Sequence, residues 1–126
     1  MTQAEIRRYQ TSARTTDTFG RVLVSARDQH LIVDGPVQNG CPGEAPTPAE
    51  MFLSGVAACG VELIQVLAKQ LDVPLRSVNA AIEATQDPNS PVRQDVNVFN
   101  AVRINLELGG VTPEQGADLV ARFKRR

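Results

Sequence analysis

The two leading candidates to act on a substrate in this sequence are the thiol of Cys59 and, after it, the carboxylate of Glu50. A thiol works as a nucleophile or redox centre in its thiolate form, which an electropositive surrounding favours. Cys59 stands twelve residues after Thr47 in a long apolar segment, on one stripe with Phe52, Val56, Leu63, Val66 and Leu67. That position also suits a small buried hydrophobe, which is what many free cysteines are. The helix dipole does not help the thiolate here, because its effect is confined to the first turn. Glu62, three residues on, would oppose a thiolate if it lay nearby. A reactive Cys59 therefore needs a cation from another element, and arginine is the residue that keeps its charge when partly buried.

Glu50 has a structural role available to it. It lies three residues after Thr47 and completes a capping box. Nine residues separate it from Cys59, about 13 Å along one helix, too far to share a site within one chain. If the helix pairs antiparallel with its copy, Glu50 of one subunit can approach Cys59 of the other. Cys41 lies between Gly40 and Pro42, where an exposed, mobile loop is expected. It could resolve an oxidised Cys59, although nothing in the spacing demands it. His30, the only histidine, sits in an apolar run and reads as a strand residue. One histidine and no cysteine pair at ligand spacing leave a structural zinc site unsupported. Neither a phosphate-cradling glycine motif nor a Gly-x-Ser-x-Gly elbow occurs.

The elements that must position these groups follow from patterning. Residues 4–13 read as a strand. Arg21–Ser25 and His30–Val33 are short β-rich runs joined by a hairpin turn over Ala26–Gln29. Asp34–Pro46 holds three prolines and three glycines and reads as a loop. Thr47 as N-cap, Pro48 at the first helical position and Glu50 then start a helix that runs to about Leu71, where Asp72 and Pro74 end it. Gly55 and Gly60 each cost this helix about 1 kcal/mol relative to Ala. With Ala57 and Ala58 they leave its surface thin, so that a second helix could approach closely. Arg76–Thr85 alternates as a half-buried strand, Asp87–Pro91 breaks it, and Val96–Leu108 reads as a second long strand with a bulge near Asn100. Gly109 and Gly110 close that strand. Thr112, Pro113 and Gln115 repeat the capping signature and open a last helix with Leu119, Val120 and Phe123 on its apolar face. The order is β-β-β-α-β-β-α, an α+β protein. The first helix is apolar over more than one face, which packing against a copy of itself would explain, as would a single large sheet wrapped around it.

Composition narrows the functional class. In 126 residues, 42% are hydrophobic and 9 are Gly, enough for a packed core, and one domain over 1–126 is expected. With 13 basic against 14 acidic residues, a general nucleic-acid binder is disfavoured. The basic cluster Arg122–Arg126 reads as a solvated helix end with cations near the C-terminal dipole. Met51–Ala68 is long enough for a membrane span, but Glu62 and Gln65 interrupt it and a buried helix is the better reading. No charged n-region followed by an apolar h-region opens the sequence, so a signal peptide is not expected. Two cysteines make no disulfide scaffold, so a cytoplasmic protein that binds neither nucleic acid nor membrane is expected.

The stretch Pro46–Cys59 (PTPAEMFLSGVAAC), with Gly60–Lys69 and the Asp72–Leu75 turn after it, resembles the OsmC/Ohr family of organic hydroperoxide reductases and their relatives. Gly20–Pro36 resembles the family's second and third strands, and Leu119–Arg126 the lead-in to its C-terminal Cys-Pro segment. The resemblance implies an OsmC-like α+β fold as an intertwined homodimer, with two central helices surrounded by sheets. It implies that Cys59 attacks the O–O bond of an organic hydroperoxide, and that a dithiol or other thiol reductant resets it. It implies no cofactor or metal. An arginine from the N-terminal strands and a glutamate at the start of the helix would polarise the site across the dimer, and Arg21 and Glu50 are the matching residues, expected as an ion pair. Three positions depart from the peroxidase members. Their glutamate falls at Ala49, their arginine falls near Thr18 with Arg21 beside it, and their Cys-Pro segment and last strand are expected to be absent from residues 1–126. An OsmC-fold protein that binds an apolar small molecule at the dimer interface without catalysis, and a purely structural or interaction module, are the alternatives.

Overall fold

A computed structural model of the chain describes residues 4–125; Arg126, the end of the basic cluster, lies outside them. The elements occur in the expected order: β1 (Ser12–Thr15), β2 (Arg21–Ala26), β3 (Gln29–Asp34), α1 (Pro48–Gln70), β4 (Ser77–Thr85), β5 (Ala101–Gly109) and α2 (Pro113–Phe123). A 3-10 turn at Val37–Asn39 interrupts the loop before α1. The chain divides into two compact units, Met1–Met51 and Phe52–Arg126.

In the first unit, β1, β2 and β3 form an antiparallel meander. The β2–β3 register runs from Ala26↔Gln29 to Arg21↔Asp34 around a two-residue turn in which Arg27 takes a left-handed φ of 54°. The first strand is shorter than expected and starts later: it covers Ser12–Thr15, not 4–13. The cause is the length of its partner. Ser12 already pairs with Ser25, and one residue further on β2 turns away into β3. Among the described residues, 4–11 pair with no strand, and Ile6 and Tyr9 are exposed. Among the described residues of this unit, the buried side chains are Val33 and Asp34.

The second unit has the apolar core. Ile64, Leu67 and Ala68 of α1 pack with Leu119 of α2, and Val78 of β4 with Leu106 and Leu108 of β5 lie against them. The alternation seen in the sequence becomes one inward row on a β-hairpin, with Val78 opposite Leu108, Ala80 opposite Leu106 and Ile82 opposite Ile104. β5 begins at Ala101, not Val96, because β4 ends at Thr85, the partner of Ala101. There is no bulge at Asn100. Instead its side chain closes the hairpin loop: Oδ1 accepts from the Asp87 N–H at 2.7 Å and Nδ2 donates to the Ser90 carbonyl at 2.8 Å.

The helix ends follow their local chemistry. Thr112 and Gln115 form the reciprocal capping box at α2. The stop of α1 is a Schellman motif, in which the Val73 N–H donates to the Ala68 carbonyl at 2.8 Å and Asp72 occupies the left-handed position at φ 55°. The Phe123 ring of α2 stands where a Cβ on Gly60 would meet it at 3.1 Å, so the thin surface of α1 does admit a close neighbour there. At Gly55 that space is open. Arg122 pairs with Asp118 one turn earlier at 2.9 Å. By length and composition α1 could cross a membrane, but its Gly60–Ile64–Leu67–Ala68 face is buried within this unit.

Candidate functional site

Arg21 opens β2 and Asp34 closes β3, and the register places them side by side across the two strands. The guanidinium makes a two-pronged contact with the carboxylate: Nε donates to Oδ1 at 2.8 Å and Nη2 to Oδ2 at 2.9 Å. Nη2 also donates to Oε1 of Glu44 at 3.0 Å. Asp34 is fully buried, whereas the Glu44 side chain is 76% exposed. The buried carboxylate does more than hold Arg21. Its Oδ2 accepts the backbone N–H groups of Glu44 at 2.9 Å and Ala45 at 3.0 Å, and its own N–H donates to the Pro46 carbonyl at 3.1 Å.

These contacts set the charges. The hydrogen bonds from Arg21, helped by the Glu44 and Ala45 amides and opposed by burial, lower the Asp34 carboxyl from 3.8 to about 2. The hydrogen bond to Asp34, then that to Glu44, pushes Arg21 above its already high value and keeps it charged. In the sequence, Asp34 and Glu44 both fall within the expected Asp34–Pro46 loop, a setting that does not by itself mark them as partners of Arg21. A signal was present for Asp34, because a tight turn centred on residues 27 and 28 puts Arg21 opposite it.

Glu50 is the expected capping residue of α1. Its Oε1 accepts the Thr47 N–H at 2.9 Å, and the Glu50 N–H donates to Thr47 Oγ1 at 3.3 Å. The Thr47 amide, then the Thr47 hydroxyl, lowers the Glu50 carboxyl below its usual range. The expected Arg21–Glu50 ion pair is not among the ion pairs of the described residues, where Arg21 is held by Asp34 and Glu44.

Cys59 lies on α1 as a free, exposed thiol. Phe52 and Val56, on its stripe, are exposed too. The buried face of α1 runs instead through Gly60, Ile64, Leu67 and Ala68, roughly a quarter turn around the helix at 100° per residue. The stripe that carries the thiol therefore continues only marginally, through Leu67, into the core of its unit.

Cys41 differs from its expected exposure. It is half-buried, with its side chain in the space that a Cβ on Gly20 or Gly35 would need. Gly20 also takes φ +80°, which a side chain would disfavour. His30 is a strand residue whose Nδ1 lies 2.7 Å from Ser25 Oγ across the β2–β3 pair. Among the described residues no three His, Cys, Asp or Glu side chains gather as metal ligands would.

A protein-family model described as OsmC-like protein matches residues 41–126. No curated protein matches the sequence. Among solved structures, an OsmC-like protein from Mycoplasma pneumoniae superposes with a TM-score of 0.80 at 12% identity, over 95% of this chain and 82% of that one. A structure from Legionella pneumophila, described as an organic hydroperoxide resistance protein OsmC, gives 0.71 at 22% identity, over 97% and 85%. An organic hydroperoxide resistance protein from Elizabethkingia anophelis gives 0.69 at 18% identity, over 98% and 85%.

Proposed function

This chain belongs to the OsmC-like protein family, and from that premise we propose that it is a thiol-dependent peroxidase for organic hydroperoxides, acting as a cytoplasmic homodimer with Cys59 as its nucleophile. The observation that carries this reading is the exposed thiol of Cys59 on an exposed apolar stripe of α1, within the segment that the family model covers. A copy of the helix laid against that stripe would cover Phe52 and Val56 and enclose the thiol in apolar walls. Such walls favour an alkyl hydroperoxide over hydrogen peroxide.

The Cys59 thiolate attacks the distal oxygen of the hydroperoxide. The S–O bond forms as the O–O bond breaks, sulfur is oxidised to sulfenic acid, and the alkoxide takes a proton and leaves as an alcohol. A second thiol then condenses with the sulfenic acid, releases water and leaves a disulfide, which a dithiol reduces. Arg21 and Glu50 are assigned as the charged groups that polarise the site. Cys41 is half-buried with its side chain against Gly20 and Gly35, and a small thiol or a dithiol reductant is assigned as the second thiol.

One observation favours a second reading. Two carboxylates hold Arg21, which suits an OsmC-fold protein that binds an apolar small molecule at the dimer interface without catalysis. Mass spectrometry of the reduced protein after one equivalent of an alkyl hydroperoxide, with a sulfenic-acid trap, separates the two. Selective labelling at Cys59, faster than with hydrogen peroxide, is the expected result, and Cys59→Ser should reduce turnover to the uncatalysed background while still dimerising. Oxidation no faster than that of an ordinary thiol supports the non-catalytic reading.

A further inference from the structure

We propose that Asp34 is a positioning residue: its buried carboxylate fixes in one knot the guanidinium of Arg21 and the chain that leads into α1, and so sets both charged groups assigned above. The inference rests on that assignment of Arg21 and Glu50. Its structural basis lies within the first unit. Asp34 accepts four hydrogen bonds, two from Arg21 and one each from the Glu44 and Ala45 amides, while its N–H binds the Pro46 carbonyl. Thr47, the cap that Glu50 engages, is the next residue after Pro46. One carboxylate therefore links the start of β2, the end of β3 and the lead-in to the helix.

The two acidic partners of Arg21 are not equivalent. Asp34 is fully buried and bonded on both oxygens, and the two-pronged geometry defines the plane of the guanidinium. Glu44 reaches Arg21 through one contact from an exposed position, and exposed pairs of this kind contribute little. Asp34 is thus the anchor, and the Glu44 side chain is replaceable. The backbone N–H of Glu44 still bonds Asp34 whatever its side chain.

The test compares Arg21→Gln, Asp34→Asn and Glu44→Gln in the full chain, each checked for fold and dimer, by following oxidation of Cys59 by an alkyl hydroperoxide across pH. Asparagine keeps the shape of Asp34 but replaces one accepting oxygen with an amide that cannot accept. Asp34→Asn is expected to slow oxidation about tenfold or more, the scale of a misplaced catalytic group, and to displace the pH profile in the direction seen with Arg21→Gln. Glu44→Gln, which removes one exposed contact to Arg21, is expected to change the rate and profile far less than Asp34→Asn does. A folded Asp34→Asn with wild-type rate and profile, alongside an impaired Arg21→Gln, overturns the role of Asp34 and leaves the peroxidase reading standing. The same drop in Glu44→Gln as in Asp34→Asn also overturns it. Slow wild-type oxidation that Arg21→Gln does not change overturns the peroxidase reading and this inference with it. Should Asp34→Asn not fold, Asp34→Glu replaces it, since it keeps the charge but moves the carboxylate by one methylene; a wild-type rate there overturns the proposal.

Discussion

The two units are organised around opposite kinds of chemistry. In Phe52–Arg126 the buried centre is Ile64, Leu67, Ala68 and Leu119, which is apolar and non-directional. Among the described residues of Met1–Met51 the fully buried side chain is the carboxylate of Asp34, joined to one arginine and two backbone amides. An apolar core gains from area and fit and accepts many arrangements of similar volume. A buried charge tolerates few arrangements, because any that leaves it unpaired is heavily penalised. The difference teaches where each kind is used: area builds the body of the helix–hairpin unit, and direction fixes a strand end and a loop.

That contrast can be broken or sharpened by mutation. The largest expected effect is in the apolar centre. Leu119→Ala should cost about 2–5 kcal/mol, the usual range for a buried leucine, and chemical denaturation should show the loss to be nearly independent of pH. The polar centre should behave the other way. The Asp34 carboxyl lies at about 2 in the fold against an ordinary 3.8, so its contribution is fully present above the ordinary value and is lost as pH falls through the folded one. Denaturation midpoints should therefore decline for wild type between roughly pH 5 and pH 2. Asp34→Asn should lose much of that decline and converge on wild type at the acid end. An acid slope as steep in Asp34→Asn as in wild type would remove Asp34 as its source. The smallest effect belongs to a local device. Thr112→Ala removes the cap of α2 and should cost about 1 kcal/mol, against the larger loss at Leu119 in the same helix.

Much of the fold is legible in the residues because its signals are local. Thr47, Pro48 and Glu50 mark the start of α1, and Thr112 with Gln115 marks that of α2, because a cap acts over three or four residues. The alternation of Val78, Ala80 and Ile82 with Ile104, Leu106 and Leu108 identifies one face of a hairpin for the same reason. Less of the candidate site is legible. The resemblance of Pro46–Cys59 singles out Cys59 and Glu50, and that of Gly20–Pro36 singles out Arg21, but Arg21 has partners that a reading of charges along the chain does not connect to it.

The order of the elements, the two capping boxes and the membership of the chain in its family are all written in residues close together or in a contiguous motif. Tertiary packing set the buried face of α1 at Gly60–Ile64–Leu67–Ala68, which shares only Leu67 with the stripe of Cys59. It decided that β1 and β5 begin where their partners allow, that Cys41 is seated between two glycines, and that Asp34 and Glu44 hold Arg21. The physical reason is common to all of these. Burial, strand ends and ion pairs depend on what chain segments far apart in sequence bring to one place, and a pattern within one segment carries no record of its partner.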